Sequence, residues 1–252
     1  VLLRGGREVQ YARLRADPSW RVYLAHVAEA AHVTDWAALT PAARLSFLFN
    51  LYNGLVMHAK LVFGHAGTLA SRGTFFNAAA YVLGGVRYSL VELEHGLLRR
   101  KAATHKAASA APPSPLVVDA VEPRMHFALN CGARSCPPVR PYLADGLEAQ
   151  LAAAAADFID YTLEVGGEAT GKAASPPTGT DGVGGSDGST SSAAVSLASA
   201  AGGGGGSGGG APVVSLSRLF RWFRRDFIGG GGDADLLAWI TVRAGPKAAA
   251  RL

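Results

Sequence analysis

From residue 166 to residue 211 the chain is built of Gly, Ser, Ala, Thr and Pro with almost no large apolar side chain, and it includes the runs Gly202 to Gly206 and Gly208 to Gly210. A segment of this composition buries too little apolar surface to offset the entropy of ordering it. It is predicted to be a disordered insertion, and a shorter flexible insertion of similar character is predicted over 102–115. These stretches decide what the rest can be. The chain has 252 residues, of which about 200 remain to build a core, enough for a single domain. Tyr161-Thr-Leu-Glu-Val165 before the long insertion and Pro212-Val-Val-Ser-Leu216 after it both read as short strands, the two arms of a hairpin with an expanded turn. Lengthening a flexible loop adds little closure entropy. Residues 1–165 and 212–252 are therefore read as one domain.

The remaining sequence favours helices. Thr40-Pro41 reads as an N-cap followed by a first-turn proline, and Leu45, Leu48, Tyr52, Leu55, Val56, Ala59 and Val62 then recur at helical spacing. Gly84-Gly85 between Tyr81-Val-Leu and Val-Arg-Tyr88 suits the two-residue turn of a β-hairpin. Ser89 with Glu92 forms a capping box that opens a helix carrying Leu90, Leu93, Glu94, His95 and Leu97. A further helix with Leu147, Leu151, Ala155, Phe158 and Ile159 on one face is expected, then one capped by Ser215 or Ser217 with Leu219, Phe220, Phe223 and Phe227, then a short one with Leu236, Leu237 and Ile240. Strands and helices do not alternate in the βαβ manner, so a Rossmann-type sheet is not expected. The predicted class is α+β: a helix-rich single domain with small antiparallel β-hairpins and a disordered Gly/Ser/Ala-rich insertion.

The charge pattern excludes some partners. The net charge is +5, but the basic residues are scattered, with local groups only at Arg99-Arg100-Lys101 and around Arg221, Arg224 and Arg225. Nucleic-acid binding calls for a longer basic stripe, so no nucleic-acid partner is expected. No run of 18 apolar residues occurs, so no membrane span is expected. Two cysteines are too few for a disulfide-built scaffold, which makes a reducing, cytoplasmic location the expectation. The chain starts at Val1 without a Met, as a piece of a longer protein would.

Chemistry is expected to centre on His126-Phe-Ala-Leu-Asn-Cys-Gly-Ala-Arg-Ser-Cys-Pro-Pro138. Asn130-Cys131-Gly132 interrupts an apolar run, Arg134-Ser135-Cys136 follows, and Pro137-Pro138 forces the chain away from helix. A thiol beside Gly, with Arg and His near in sequence, is a place for a lowered pKa, and the thiolate is both nucleophile and metal ligand. The candidate catalytic residues are Cys131, Cys136, His126, His95 and Asn53. Asn50, Glu94, Asn130, Arg134 and Ser135 are supporting candidates. Asn50 and Asn53 share a face of an apolar helix, where buried amides must be hydrogen-bonded, either to orient a His or to clamp a loop backbone. Glu94 cannot face His95 on one helix, so one of them points elsewhere. No cofactor is expected. Zinc on His95, His126, Cys131 and Cys136 is an alternative, although the spacing is looser than in a zinc knuckle.

Four pieces in this order resemble the family called domain of unknown function 547: Phe47-Leu-Phe-Asn-Leu-Tyr-Asn-Gly54, Ser89-Leu-Val-Glu-Leu-Glu-His-Gly-Leu-Leu-Arg99, Glu122-Pro-Arg-Met-His-Phe-Ala-Leu-Asn-Cys-Gly-Ala-Arg-Ser-Cys-Pro-Pro138 and Leu219-Phe-Arg-Trp-Phe-Arg-Arg-Asp-Phe227. The sequence departs from the family pattern at Glu122, where an Asp is more typical, and in its two insertions. The resemblance implies a module that occurs beside leucine-zipper, glutaredoxin or DEP domains, with other proteins or domains of the same chain as partners. It implies no established activity. Two functional expectations follow. One is an interaction or regulatory module with a Cys/His/Asn polar site. The other is a thiol-dependent hydrolase or acyl-transfer enzyme using Cys131 or Cys136 with His95 or His126.

Overall fold

The computed structural model describes residues 2–64, 69–100, 114–133, 135–166, 193–196 and 213–252. The predicted insertions 166–211 and 102–115 lie almost wholly outside the described residues, as does Arg134. The described elements are β1 (Leu2–Leu3), β2 (Glu8–Val9), α1 (Tyr11–Ala16), α2 (Pro18–Ala30), α3 (Pro41–Phe63), α4 (Leu69–Ala78), β3 (Ala80–Leu83), β4 (Val86–Ser89), a π-helix (Glu92–Leu98), a 3-10 helix (Pro123–Phe127), α5 (Leu147–Thr162), β5 (Glu164–Gly166), β6 (Ala193–Ser196), β7 (Val213–Leu216), α6 (Arg218–Trp222), α7 (Arg224–Ile228), α8 (Asp233–Thr241) and α9 (Pro246–Ala249). The strands pair only antiparallel, in small sheets β1-β2, β3-β4 and β5-β7-β6. The fold is helix-rich α+β, as the sequence predicts. Its residues group into two compact units, 1–151 and, among the described residues beyond, 152–252.

The first unit is built on α3. Thr40 caps it by accepting from Ala43 N at 3.2 Å, and Pro41 occupies the first turn. The middle of α3 is apolar nearly all round and is buried accordingly: Leu48, Phe49, Leu51, Tyr52, Leu55 and Val56 are all in the core. Toward the C-terminus the helix emerges, and Val62, expected on the buried stripe, is exposed. Tyr81 and Leu83 of β3, Leu90, Leu93 and Leu97, and Met125, Ala128 and Leu129 complete the same cluster.

Two local devices set the elements around α3. The β3-β4 hairpin turns at Gly84 (φ +54°) and Gly85 (φ +80°), the left-handed pair a primed two-residue turn requires. Their N–H groups donate to Ala30 O (2.9 Å) and Ala31 O (2.8 Å), so the turn also satisfies carbonyls at the end of α2. Ser89 and Glu92 form the predicted capping box: Glu92 N donates to Ser89 Oγ at 3.2 Å, and Ser89 N donates to Glu92 Oε2 at 2.7 Å. The segment it opens is wound wider than the α-helix expected there, and Arg99 N closes it on Glu94 O five residues back.

In the second unit the two flanks of the long insertion pair as read from the sequence, Glu164 opposite Ser215 and Val165 opposite Val214, with β6 on the other side of β7. Ser217 caps α6 through Leu219 N at 3.3 Å. The single helix expected to follow is two. Phe223 (φ −111°, ψ 22°) breaks it, and the Phe220 and Phe227 rings lie 5.1 Å apart. Seven residues of unbroken α-helix rise about 10.5 Å, so the break is what lets both rings share one core with Phe158 and Trp239.

Candidate functional site

The site is assembled by α3. Asn53 is buried at 4% exposure, and its amide uses both ends on the chain after the 3-10 helix: Nδ2 donates to Ala128 O at 2.9 Å, and Oδ1 accepts from Asn130 N at 2.8 Å. One turn earlier Asn50 does the same to a different segment, donating to Tyr142 O at 2.6 Å and accepting from Tyr142 N at 2.9 Å. Each amide thus stands in for a strand neighbour. The buried backbone groups it meets would otherwise have no partner.

Asn130 passes this order to the cysteines. Its Oδ1 accepts from Gly132 N at 2.7 Å, and its Nδ2 donates to Pro137 O at 2.7 Å, so one side chain ties both ends of the stretch between Cys131 and Cys136. Cys136 N donates to Ala133 O at 3.1 Å and closes a turn inside it. The two sulfurs meet at 2.9 Å, and both cysteines are free. Gly132 sits at φ +81°, a conformation that favours glycine, and a Cβ there would come within 1.9 Å of Lys60 Nζ. Lys60, at the far end of α3, donates to Gly132 O at 2.7 Å.

The electrostatics separate the two thiols. The hydrogen bond from Cys136 lowers the Cys131 thiol to about 7, aided by the backbone near Ala133 and the Arg72 charge and opposed by burial and Glu94. Cys136 is pushed well above the ordinary thiol range by the same pairing and by burial. Two like charges at this distance cannot coexist, so one proton is shared by the pair. On the other side Tyr52 OH donates to Glu94 Oε2 at 3.0 Å, and burial together with the charges of Glu94 and Cys131 holds the phenol protonated far above its usual range.

The structure therefore brings Cys131, Cys136, Asn130 and Asn53 together, with Glu94 reaching the same region through Tyr52. It places the other candidates differently. His95 points away from Glu94, and its Nδ1 accepts from Arg99 at 2.8 Å, which leaves the ring proton on Nε2. His126 is buried at 4% exposure in the 3-10 helix. Among the described residues neither histidine is hydrogen-bonded to a sulfur: the thiols bond each other and nearby backbone. Ser135 is exposed, and Asn50 serves Tyr142 rather than the cysteine loop. No three His, Cys, Asp or Glu side chains among the described residues cluster in a way that could hold a metal ion, and no helix there is long and apolar enough to cross a membrane.

Sequence reasoning missed Lys60, Tyr52 and Arg72. A signal existed for one of them: Lys60 is seven residues after Asn53, two turns along the same helix face.

Residues 36–159 match the model of a family described as protein of unknown function, DUF547. The chain carries a DUF547 domain. No curated protein and no solved structure matches the chain. The DUF547 stretch contains α3, the hairpin, the π-helix and the cysteine loop, hence every residue of the site. The resemblance noted at 219–227 falls beyond the matched DUF547 residues.

Proposed function

We propose that the DUF547 domain is a regulatory, protein-interacting module whose switch is the Cys131–Cys136 thiol pair. The observation that carries this reading is the meeting of two free sulfurs at 2.9 Å on a loop tied at both ends by Asn130. A disulfide bond needs about 2.05 Å between sulfurs, so a small local movement closes it. The Cys131 thiolate attacks an external disulfide RS–SR′ and expels R′S⁻, giving a mixed disulfide. Cys136, losing its proton to solvent, then attacks the Cys131 sulfur and expels RS⁻. Two electrons leave the cysteine pair, and RS–SR′ becomes two thiols. Closing the ring alters the loop surface that a partner protein would read.

The test is thiol counting on the full chain equilibrated in glutathione buffers of graded potential, with intact mass as a second readout. The reading expects cooperative, reversible loss of both thiols with a mass decrease of about 2 Da, at a midpoint somewhere between about −180 and −300 mV. Two alkylatable thiols across the whole series would sink it.

A second reading, a thiol-dependent acyl-transfer enzyme, is favoured by the lowered pKa of Cys131. It expects a covalent acyl adduct on Cys131 when the protein meets activated esters or thioesters. Absence of any adduct by peptide mass spectrometry counts against it.

A further inference from the structure

Lys60 is half-buried near the end of α3, and among the described residues its ammonium makes no ion pair with a carboxylate. A partly desolvated ammonium without a counter-ion is costly. Its hydrogen bond goes to Gly132 O, the carbonyl directly after Cys131. Gly132 has no Cβ where one would collide with that ammonium, so the backbone is shaped to admit it. The thiol pair, which carries one negative charge when Cys131 is ionised, acts on Lys60, and Cys131 does so more strongly than Cys136.

We infer that Lys60 is a positioning residue of the thiol site: seated on the Gly132 carbonyl, its ammonium is a counter-charge anchored to the cysteine loop that favours the thiolate at Cys131, adding to the hydrogen bond from Cys136. The inference rests on the thiol-pair reading above. The other groups facing the pair act in known directions. Glu94 on the π-helix opposes a thiolate at Cys131, with Tyr52 of α3 bonded to that carboxylate, and Arg72 of α4 supports the thiolate. Cys136 donates the hydrogen bond. Lys60 adds a cation that is anchored to the cysteine loop itself, so its position follows the loop. Burial lowers the pKa of Lys60 and the sulfurs raise it, so thiolate and ammonium stabilise each other's charged form.

The experiment measures the rate of iodoacetamide alkylation at Cys131 against pH in the full chain, resolved by peptide mass spectrometry. Lys60→Met removes charge and hydrogen bond. Lys60→Gln keeps a donor for the Gly132 carbonyl and removes only the charge, so it remains informative if the Met variant does not fold. Both variants are expected to raise the alkylation midpoint by roughly one pH unit and to slow alkylation at pH 7 by roughly five- to tenfold. Lys60→Arg is expected to stay within about twofold of the parent rate. A purely structural role would speed or slow alkylation at all pH values without moving the midpoint. A folded Lys60→Gln protein with the parent midpoint overturns the inference and leaves the thiol-pair reading standing. A parent protein whose Cys131 titrates like an ordinary thiol likewise overturns the inference, whereas the thiol-pair reading falls only if both thiols stay alkylatable across the glutathione series.

Discussion

Asn53 shows how much a single amide can decide. Its two hydrogen bonds satisfy a buried carbonyl at Ala128 and the N–H of Asn130, 75 and 77 residues away in sequence. Replacing Asn53 by Ala leaves the buried Ala128 carbonyl and the part-buried Asn130 N–H without this partner. An unsatisfied buried group costs about 1–3 kcal/mol, so Asn53→Ala is expected to destabilise the chain by about 2–4 kcal/mol. The urea midpoint should fall with little change in slope. Ser135→Ala, at an exposed position on the same loop, should stay within about 0.5 kcal/mol. Similar losses for the two variants would remove Asn53 from its role as a clamp. The residues of the site divide by how they can be read. Asn50 and Asn53 stand out because amides inside an apolar helix must find partners, and Cys131 and Cys136 because thiols bracketed by Gly and Pro are unusual. Lys60 reads as an ordinary solvated lysine on a helix flank. The one local hint is its place two turns after Asn53 on the same face; its partner Gly132 lies 72 residues away, and that hint does not name it.

At the scale of elements, local chemistry made several features legible and long-range packing hid others. The Gly84-Gly85 turn, the Thr40-Pro41 start of α3 and the Ser89–Glu92 box each depend on residues within three or four positions of one another. The wide winding of 92–98 does not. It puts Glu94 against Tyr52 while His95 reaches Arg99, and both partnerships depend on how this segment packs on α3 and where its last N–H closes. Likewise the break at Phe223 follows from aromatic packing in the second unit, not from a helix-breaking residue. The capping box gives the test at this scale. Ser89 Oγ accepts from Glu92 N and lies 2.7 Å from Glu92 Oε2, and Ser89 is buried. Ser89→Ala is expected to cost about 1–2 kcal/mol in thermal or urea unfolding. In a double-mutant cycle Ser89→Ala with Glu92→Gln should cost less than the sum of the singles, because each side chain serves the other. Additive losses would mean that the two act separately.

For the whole molecule, the family match and the two compact units divide the chain in similar places. The matched residues end at 159, and α5 gives its first turn to the first unit and the remainder to the second. The second unit is closed on itself by contacts between α5 and the C-terminal residues. Asp160 is the central one: Oδ1 accepts from Ala248 N at 2.8 Å and Oδ2 from Lys247 N at 3.3 Å, so a residue of α5 caps α9 from 88 positions away. Arg251 adds a donor to Leu163 O at 2.9 Å, and Ala248 is fully buried behind them. A four-residue helix has almost no stability of its own, so α9 depends on these bonds and on the burial of Ala248. Asp160→Ala removes an acceptor from two amides at once, and a cap of this kind contributes about 1–2 kcal/mol. The expected result is local: amides 247–252 should exchange with solvent roughly five- to thirtyfold faster, the factor to which 1–2 kcal/mol corresponds. Amides in the middle of α3 should keep their protection and serve as the internal reference. Unchanged exchange at 247–252 would mean that burial of Ala248, rather than the Asp160 cap, holds the C-terminal helix in place.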